Sequence, residues 1–430
     1  MYKVYQNPDE EILKEALSRP VQKLKKIKKV VKPILKSVKN KGDIALIKFT
    51  REYDHVDLDH LQVSDSEIEA AIQKTSAELK EAISLASENI EKFHRAQQQG
   101  LMEVETMSGV VCRRKGVAIE KIGLYVPGGT APLFSSVLML AIPARIAGCS
   151  EIVLCTPPNK NGEIHPAILY AAKVSGVKTI VKVGGAQAIA AMAYGTKSVP
   201  KVYKIFGPGN QYVTAAKQLI TQDGVAIDMP AGPSEVAVLA DESSNPAFVA
   251  SDLLSQAEHG IDSQVLLVST DEAMIDKVRV EVEKQLEQLP RKRVASQSLD
   301  NSVAIFVNGK TRAMEIINQY APEHLILATD DADSLAEKVI NAGSVFLGHL
   351  TPESVGDYAS GTNHTLPTNE SALAYSGVSL DSYLKKITFQ RLNKEGIRNL
   401  GPKVEVMAEA EGLTAHKNAV TLRLKSIENE

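Results

Sequence analysis

Cysteine is scarce in this chain. Among 430 residues there are three, Cys112, Cys149 and Cys155. Their spacing matches neither a disulfide framework nor a Cys-rich zinc site, so they read as free thiols of a reducing, cytoplasmic compartment. Long apolar runs are missing too. The stretch 137–142 is stopped by Pro143 and Arg145, far short of the roughly 20 residues that span a bilayer. The opening MYKVYQNPDEE turns acidic at once, so no secretory signal is expected there. Neither sign of charge dominates: a formal net charge of −3 gives no global field toward nucleic acid or an anionic membrane. Two fingerprints are also absent, G-x-G-x-x-G for dinucleotides and H-E-x-x-H for zinc hydrolases. The chain is otherwise 44% hydrophobic and 23% charged, an ordinary globular balance with room for two or three domains.

The first hundred residues read as helices. Leu24, Ile27, Val31, Ile34, Leu35 and Val38 recur at helical spacing, and Pro33 is expected to kink or restart that helix. Nine lysines lie between 23 and 41. With no aromatic or arginine among them to stack on bases, they read as a solvated helix face, not an RNA-binding arm. A second helix is expected over 66–98, with Ile68, Ile72, Leu79, Ile83, Ile90 and Phe93 facing inward. Near Gly116 the character changes. The runs EIVLC (151–155), TIVKV (179–183) and VYKIF (202–206) alternate with helical stretches at 137–147, 165–174 and 187–193. After the turn MPAGPS the alternation resumes with strands expected at 234–240, 264–270, 302–307, 324–329 and 344–348. This is the pattern of βαβ units and parallel sheets. The expected organisation is an extension over 1–21, a first α/β domain from 22–115 plus 237–379, a second over 116–236, and a polar C-terminal segment over 380–430.

Three constellations could carry chemistry. Glycine-rich turns follow strands at 125–132, 183–188 and 206–213, where backbone and a helix N-terminus could meet a phosphate; tight βα turns account for them equally. Gln256 and His259 are three apart on an expected helix and share a face. A long Gly/Ser/Thr-rich loop at 353–368 carries Glu353, Asp357 and His364, and His416 opens a helix with Thr414 as its candidate cap. Gln256, His259, Asp357 and His416 could ligate a divalent metal, although their scatter leaves surface pairs as the plain alternative. Finally, Glu323 and His324 are neighbours at a strand start behind Pro322. They could serve as an acid/base pair only if the turn brings both into one pocket, and otherwise form a surface Glu and a half-buried His.

DMPAGPSEV, DLLSQAEHG, YAPEHL, ESVGDYASGTNH and GLTAHKNAV occur in that order, behind YVPGGTAPLFSSVLMLAIPA and KIFGPGNQYV. This ordered set closely resembles the histidinol dehydrogenase family, over about residues 20 to 425. The resemblance implies two incomplete Rossmann-like α/β domains with parallel-sheet cores, N-terminal helices and a small C-terminal helical tail. It also implies oxidation of L-histidinol to L-histidine through the aldehyde in histidine biosynthesis, with two NAD reduced. One zinc per subunit would be held by Gln256, His259, Asp357 and His416. Glu323 and His324 would be the catalytic pair. Ser234, Gln256, His259, His324, Asp357, His364, Glu411 and His416 would hold the substrate, and Tyr125, Gln187 and Asn210 would touch NAD. The family's tail crosses between subunits, so a homodimer with shared sites follows. The competing readings are a related zinc/NAD dehydrogenase of another small amino or hydroxy alcohol, a zinc hydrolase with Glu323 activating water, and a non-catalytic binding protein.

Overall fold

Uniformly apolar, β-branched runs become strands of sheets covered on both faces. The computed structural model describes residues 2–19, 24–128, 131–230 and 232–428. In chain order the described strands are β1 (Lys3–Gln6), β2 (Met102–Met107), β3 (Val110–Ala118), β4 (Lys121–Tyr125), β5 (Glu151–Thr156), β6 (Thr179–Lys182) and β7 (Lys204–Phe206). They continue with β8 (Ala226–Ile227), β9 (Glu235–Ala240), β10 (Gln264–Ser269), β11 (Val303–Phe306), β12 (His324–Ala328), β13 (Ser344–Leu347) and β14 (Leu384–Leu392). The chain divides into two compact units, Met1–Ala96 with Ile119–Ser382, and Gln97–Ala118 with Tyr383–Glu430.

The larger unit holds two sheets. One runs β6-β5-β4-β7-β8 and the other β1-β11-β10-β9-β12-β13, and every pairing in both is parallel. Counted from β4 or from β9, each sheet has the order third-second-first-fourth-fifth. That is the doubly wound dinucleotide order without its sixth strand, so the chain forms two incomplete Rossmann-like α/β bodies, as expected. β1, which the sequence pattern missed, extends the second sheet beside β11. In such sheets the strand order reverses at a crevice where ligands bind. That point lies between β4 and β7 in the first sheet; the second reverses between β9 and β12, but the starts of those strands, not their carboxyl ends, face the cavity described below.

The N-terminal helices depart from expectation. The helix Leu24–Lys41 runs through Pro33 without restarting; the side chain of Leu24 is outside the described residues. Ile27, Val31, Ile34, Leu35 and Val38 are buried in one cluster with Val153, Val181 and Ile189 of the first sheet and its helices. These helices therefore pack on the body expected at 116–236, not on 237–379, because the stripe meets the Ala-rich helices Gly185–Tyr194 and Gln211–Ile220. The stretch 66–98 is two helices, Asp65–Lys74 and Ala77–Arg95. Ser76 interrupts them by capping the second through Leu79 N–H. Phe93 is exposed and His94 is buried in its place, since the inward stripe steps from Ile83 through Ile90 to residue 94.

The smaller unit pairs β14, β3 and β2 in an antiparallel sheet and adds the helices Lys394–Ala410 and Thr414–Glu428. The C-terminal segment is thus a strand followed by helices, where a helical tail was expected. No described helix is long and apolar enough to cross a membrane.

Candidate active site

The segments leaving β4 and β7 and those entering β9 and β12 line one cavity of about 360 Å³, with Asn210, Ser234, His259, Glu323 and His364 in its wall. Gly207 opens the loop after β7 at φ +125°, where a Cβ would lie 2.0 Å from the Tyr125 carbonyl oxygen. Only glycine fits there.

Glu323 and His324 are both buried, and neither is the surface residue that the plain alternative supposed. Ala321 adopts a left-handed conformation at the end of the preceding helix, and the turn through Pro322 brings both side chains inward. Glu323 Oε2 accepts the Glu235 N–H at 2.9 Å and lies 3.7 Å from His324 Nδ1. His324 Nδ1 faces the Glu235 carbonyl at 3.3 Å, and its Nε2 lies 3.5 Å from Asp357 Oδ1. Glu235, at the start of β9, is itself fixed by Arg19, whose Nε and Nη2 donate to its carboxylate at 2.6 and 2.9 Å. Bidentate pairing of this kind gives orientation as well as energy.

Burial raises Glu323 to about 8, against the opposing pull of His324. Burial alone would lower His324, but the carboxylates of Glu353, Glu323 and Asp357 outweigh it and raise the imidazole to about 10. Burial also lowers His364. His364 Nδ1 donates to the Asp357 carbonyl at 2.8 Å. That leaves Nε2 to accept from the Ser136 hydroxyl at 3.1 Å.

The expected loop at 353–368 begins as a helix, Glu353–Tyr358. Glu353 and Asp357 are therefore i, i+4 neighbours on one face. Ligand atoms of His259, Glu353 and Asp357 lie within 4.8 Å of one another. His259 follows the helix Pro246–Ala257 instead of lying within it, turned back by its N–H to the Gln256 carbonyl at 3.2 Å. Gln256 is 0% exposed. Both of its amide atoms, and Glu353 Oε2, are buried without a hydrogen-bond partner among the described residues. Such groups cost about 1–3 kcal/mol each when left unsatisfied, so the cluster fits a cation. Glu353 was read in the sequence only as a loop residue; its helical spacing to Asp357 was the missed signal. Glu411 and His416 belong to the smaller unit and are exposed.

Tyr125, Gln187 and Asn210 line a second cavity of about 620 Å³, which shares Pro127 and Asn210 with the first. Tyr125 Oη accepts the Gly185 N–H at 3.1 Å. Asn210 Oδ1 caps the helix Gln211–Ile220 through Tyr212 and Val213, leaving its amide nitrogen as the remaining donor. Gly129 and Thr130 of the turn at 125–132, and Ala231 of MPAGPS, lie outside the described residues.

A family profile described as histidinol dehydrogenase matches residues 17–424. The chain is 60% identical to a histidinol dehydrogenase of Bacteroides thetaiotaomicron, over 99% of this chain and all of that protein. It is 53% identical to a chloroplastic histidinol dehydrogenase of Arabidopsis thaliana, over 96% of this chain and 88% of that one. Its fold is similar to the crystal structure of histidinol dehydrogenase from Elizabethkingia anophelis, with a TM-score of 0.97, 55% identity and 99% of each chain covered.

Proposed function

The chain belongs to the histidinol dehydrogenase family and is an oxidoreductase, and from that premise we propose that it oxidises L-histidinol to L-histidine through L-histidinaldehyde in the cytoplasm. The reaction uses one zinc per subunit and reduces two NAD per turnover. The observation that supports this reading is the meeting of Glu323, His324 and Asp357 beside a histidine–carboxylate cluster, next to a cavity lined by Tyr125, Gln187 and Asn210.

Taking a primary alcohol to an acid removes four electrons as two hydrides, with one proton lost at each oxidation and one water added between the two. A bound zinc would supply a Lewis-acid anchor for nitrogen donors of the substrate, and NAD would supply the hydride acceptor. Gln256, His259, Asp357 and His416 would hold the metal. The Gln256 amide is a weak donor, and its orphaned atoms need a partner. His324, in its neutral form, takes the hydroxyl proton. Glu323, raised toward neutrality by burial, takes a proton from the water that adds to the aldehyde. Ser234 and His364 line the space for the substrate. Glu411 and His416 complete that space from the neighbouring chain of a homodimer.

The test is the near-ultraviolet absorbance of NADH with purified protein, NAD and L-histidinol. Two NADH should form per histidine. Release of one NADH with free aldehyde as the end product would sink the two-step reading.

A further inference from the structure

The nucleotide cavity contains a carboxylate that no role above uses. Asp54 ends a π-helical turn, Thr50–Asp54, of the kind often found at functional sites. Its side chain lines the cavity with Tyr53, Tyr125, Gln187 and Tyr212. Asp54 Oδ2 is buried with no hydrogen-bond partner among the described residues.

Its position in the fold gives this orphan a meaning. Dinucleotide sheets set an acidic side chain against the adenosine ribose, in the stretch that follows the glycine-rich turn and its helix. Here that stretch is β5, which ends in Thr156 and runs into Pro157 and Pro158. The two prolines line the cavity and carry no carboxylate. The exposed rings of Tyr53 and Tyr212 and the prolines give an apolar slot of the sort that takes an adenine. One buried, unpartnered acceptor in such a slot suits a neighbouring hydroxyl donor.

Resting on the reading that this cavity takes NAD, we propose that Asp54 accepts the adenosine ribose hydroxyls of NAD and rejects the 2′-phosphate of NADP. The carboxylate stands in for the acid that the C-terminal end of β5 lacks and comes from the turn after the N-terminal helices. A phosphate at the same place would meet the negative charge of the carboxylate, so discrimination comes from repulsion as well as from the hydrogen bond.

The experiment is titration calorimetry of NAD and of NADP against the wild type, Asp54→Asn and Asp54→Ala, with thermal melts to show that each variant folds. The wild type should bind NAD and bind NADP much more weakly. Both variants should lose about tenfold to a hundredfold in NAD affinity, the share of a hydrogen bond to a charged group. They should lose less for NADP or gain, so the NAD:NADP affinity ratio falls at least about tenfold. Asp54→Asn guards against misfolding, since it keeps the shape and removes an unpaired buried charge. An unchanged ratio in folded variants, with NAD binding intact in the wild type, overturns the role of Asp54 alone. A wild type that binds neither nucleotide overturns the reading of the cavity and this proposal with it.

Discussion

Lys217 and Asp228 form an ion pair with side chains only 3% and 1% exposed, and together they grip both backbone polar groups of Gly207. Lys217 Nζ donates to the Gly207 carbonyl at 2.9 Å, and the Gly207 N–H donates to Asp228 Oδ2 at 2.8 Å. The other Asp228 oxygen accepts the Met229 N–H at 2.8 Å. The clamp fixes the start of the loop that walls both cavities.

Breaking this pair from one side leaves a buried charge alone. Lys217→Met or Asp228→Asn should each destabilise the protein by about 3–5 kcal/mol, measured by urea unfolding. The double variant should lose clearly less than the sum, because no unpaired charge remains. Strict additivity would mean that the two side chains act independently. The KM for NAD should rise in all three, since the freed loop carries Asn210.

The metal prediction follows from the orphaned atoms of Gln256 and Glu353. A chelator should abolish turnover and lower Tm, and added zinc should restore both. His259→Asn should lower metal content together with activity. Binding requires deprotonated ligands, so the zinc-induced rise in Tm should grow between about pH 6 and pH 8. A fully active preparation free of metal would end this reading.

How much of this was legible in the sequence depended on how local the cause was. Most strands of the two parallel sheets, though not the two-residue β8, announced themselves as continuous apolar runs. β1, β2 and β14 did not, because KVYQ, MEVETM and LKKITFQRL are mixed in character and largely exposed. Gly356 and the lack of an apolar stripe disguised the helix Glu353–Tyr358 as a loop, and with it the facing of Glu353 and Asp357. The Glu323–His324 pair was legible because Pro322 stood beside it. The Arg19–Glu235 bond that backs the pair joins residues 216 positions apart, and no spacing rule reaches that far. Asp54 was hidden for the same reason: its meaning comes from β5, which is distant in sequence.

Asp252 supplies a pH prediction. Burial raises it from 3.8 to about 7, whereas an unfolded chain returns it to about 3.9. The native state therefore favours the neutral acid. The associated stability is fully present below about pH 4 and is lost as pH rises through about 7. In chelator-treated protein Asp252→Asn should raise Tm at pH 8 and change it little near pH 4. An equal effect at both pH values would place its cause in packing instead of charge.

Glu323→Gln keeps the shape of the site and removes the proposed water-activating base. It should slow oxidation of histidinaldehyde far more than oxidation of histidinol, by about 10²–10⁴-fold in kcat for general-base loss. His324→Asn should slow both. Single-turnover assays started from each substrate separate the two, and equal losses for Glu323→Gln would refute the division of labour.

The last prediction concerns where His416 acts. The helix Thr414–Glu428 buries none of its residues, and Val406, Met407, Phe389 and Leu422 of the same unit are exposed. Exposed apolar side chains of this kind are what a partner surface would cover. A two-fold dimer that covered them could deliver His416 and Glu411 of one chain to Gln256, His259 and Asp357 of the other. Under that arrangement His259→Ala and His416→Ala are each inactive alone. In a mixed dimer one site carries both lesions and its counterpart carries neither. Random reassembly makes about half of the dimers mixed, each with one intact site, so roughly a quarter of wild-type activity should return on co-expression. The measurement pairs NADH formation with affinity-tag selection of mixed dimers. If mixed dimers form and no activity returns, His416 serves the site of its own chain.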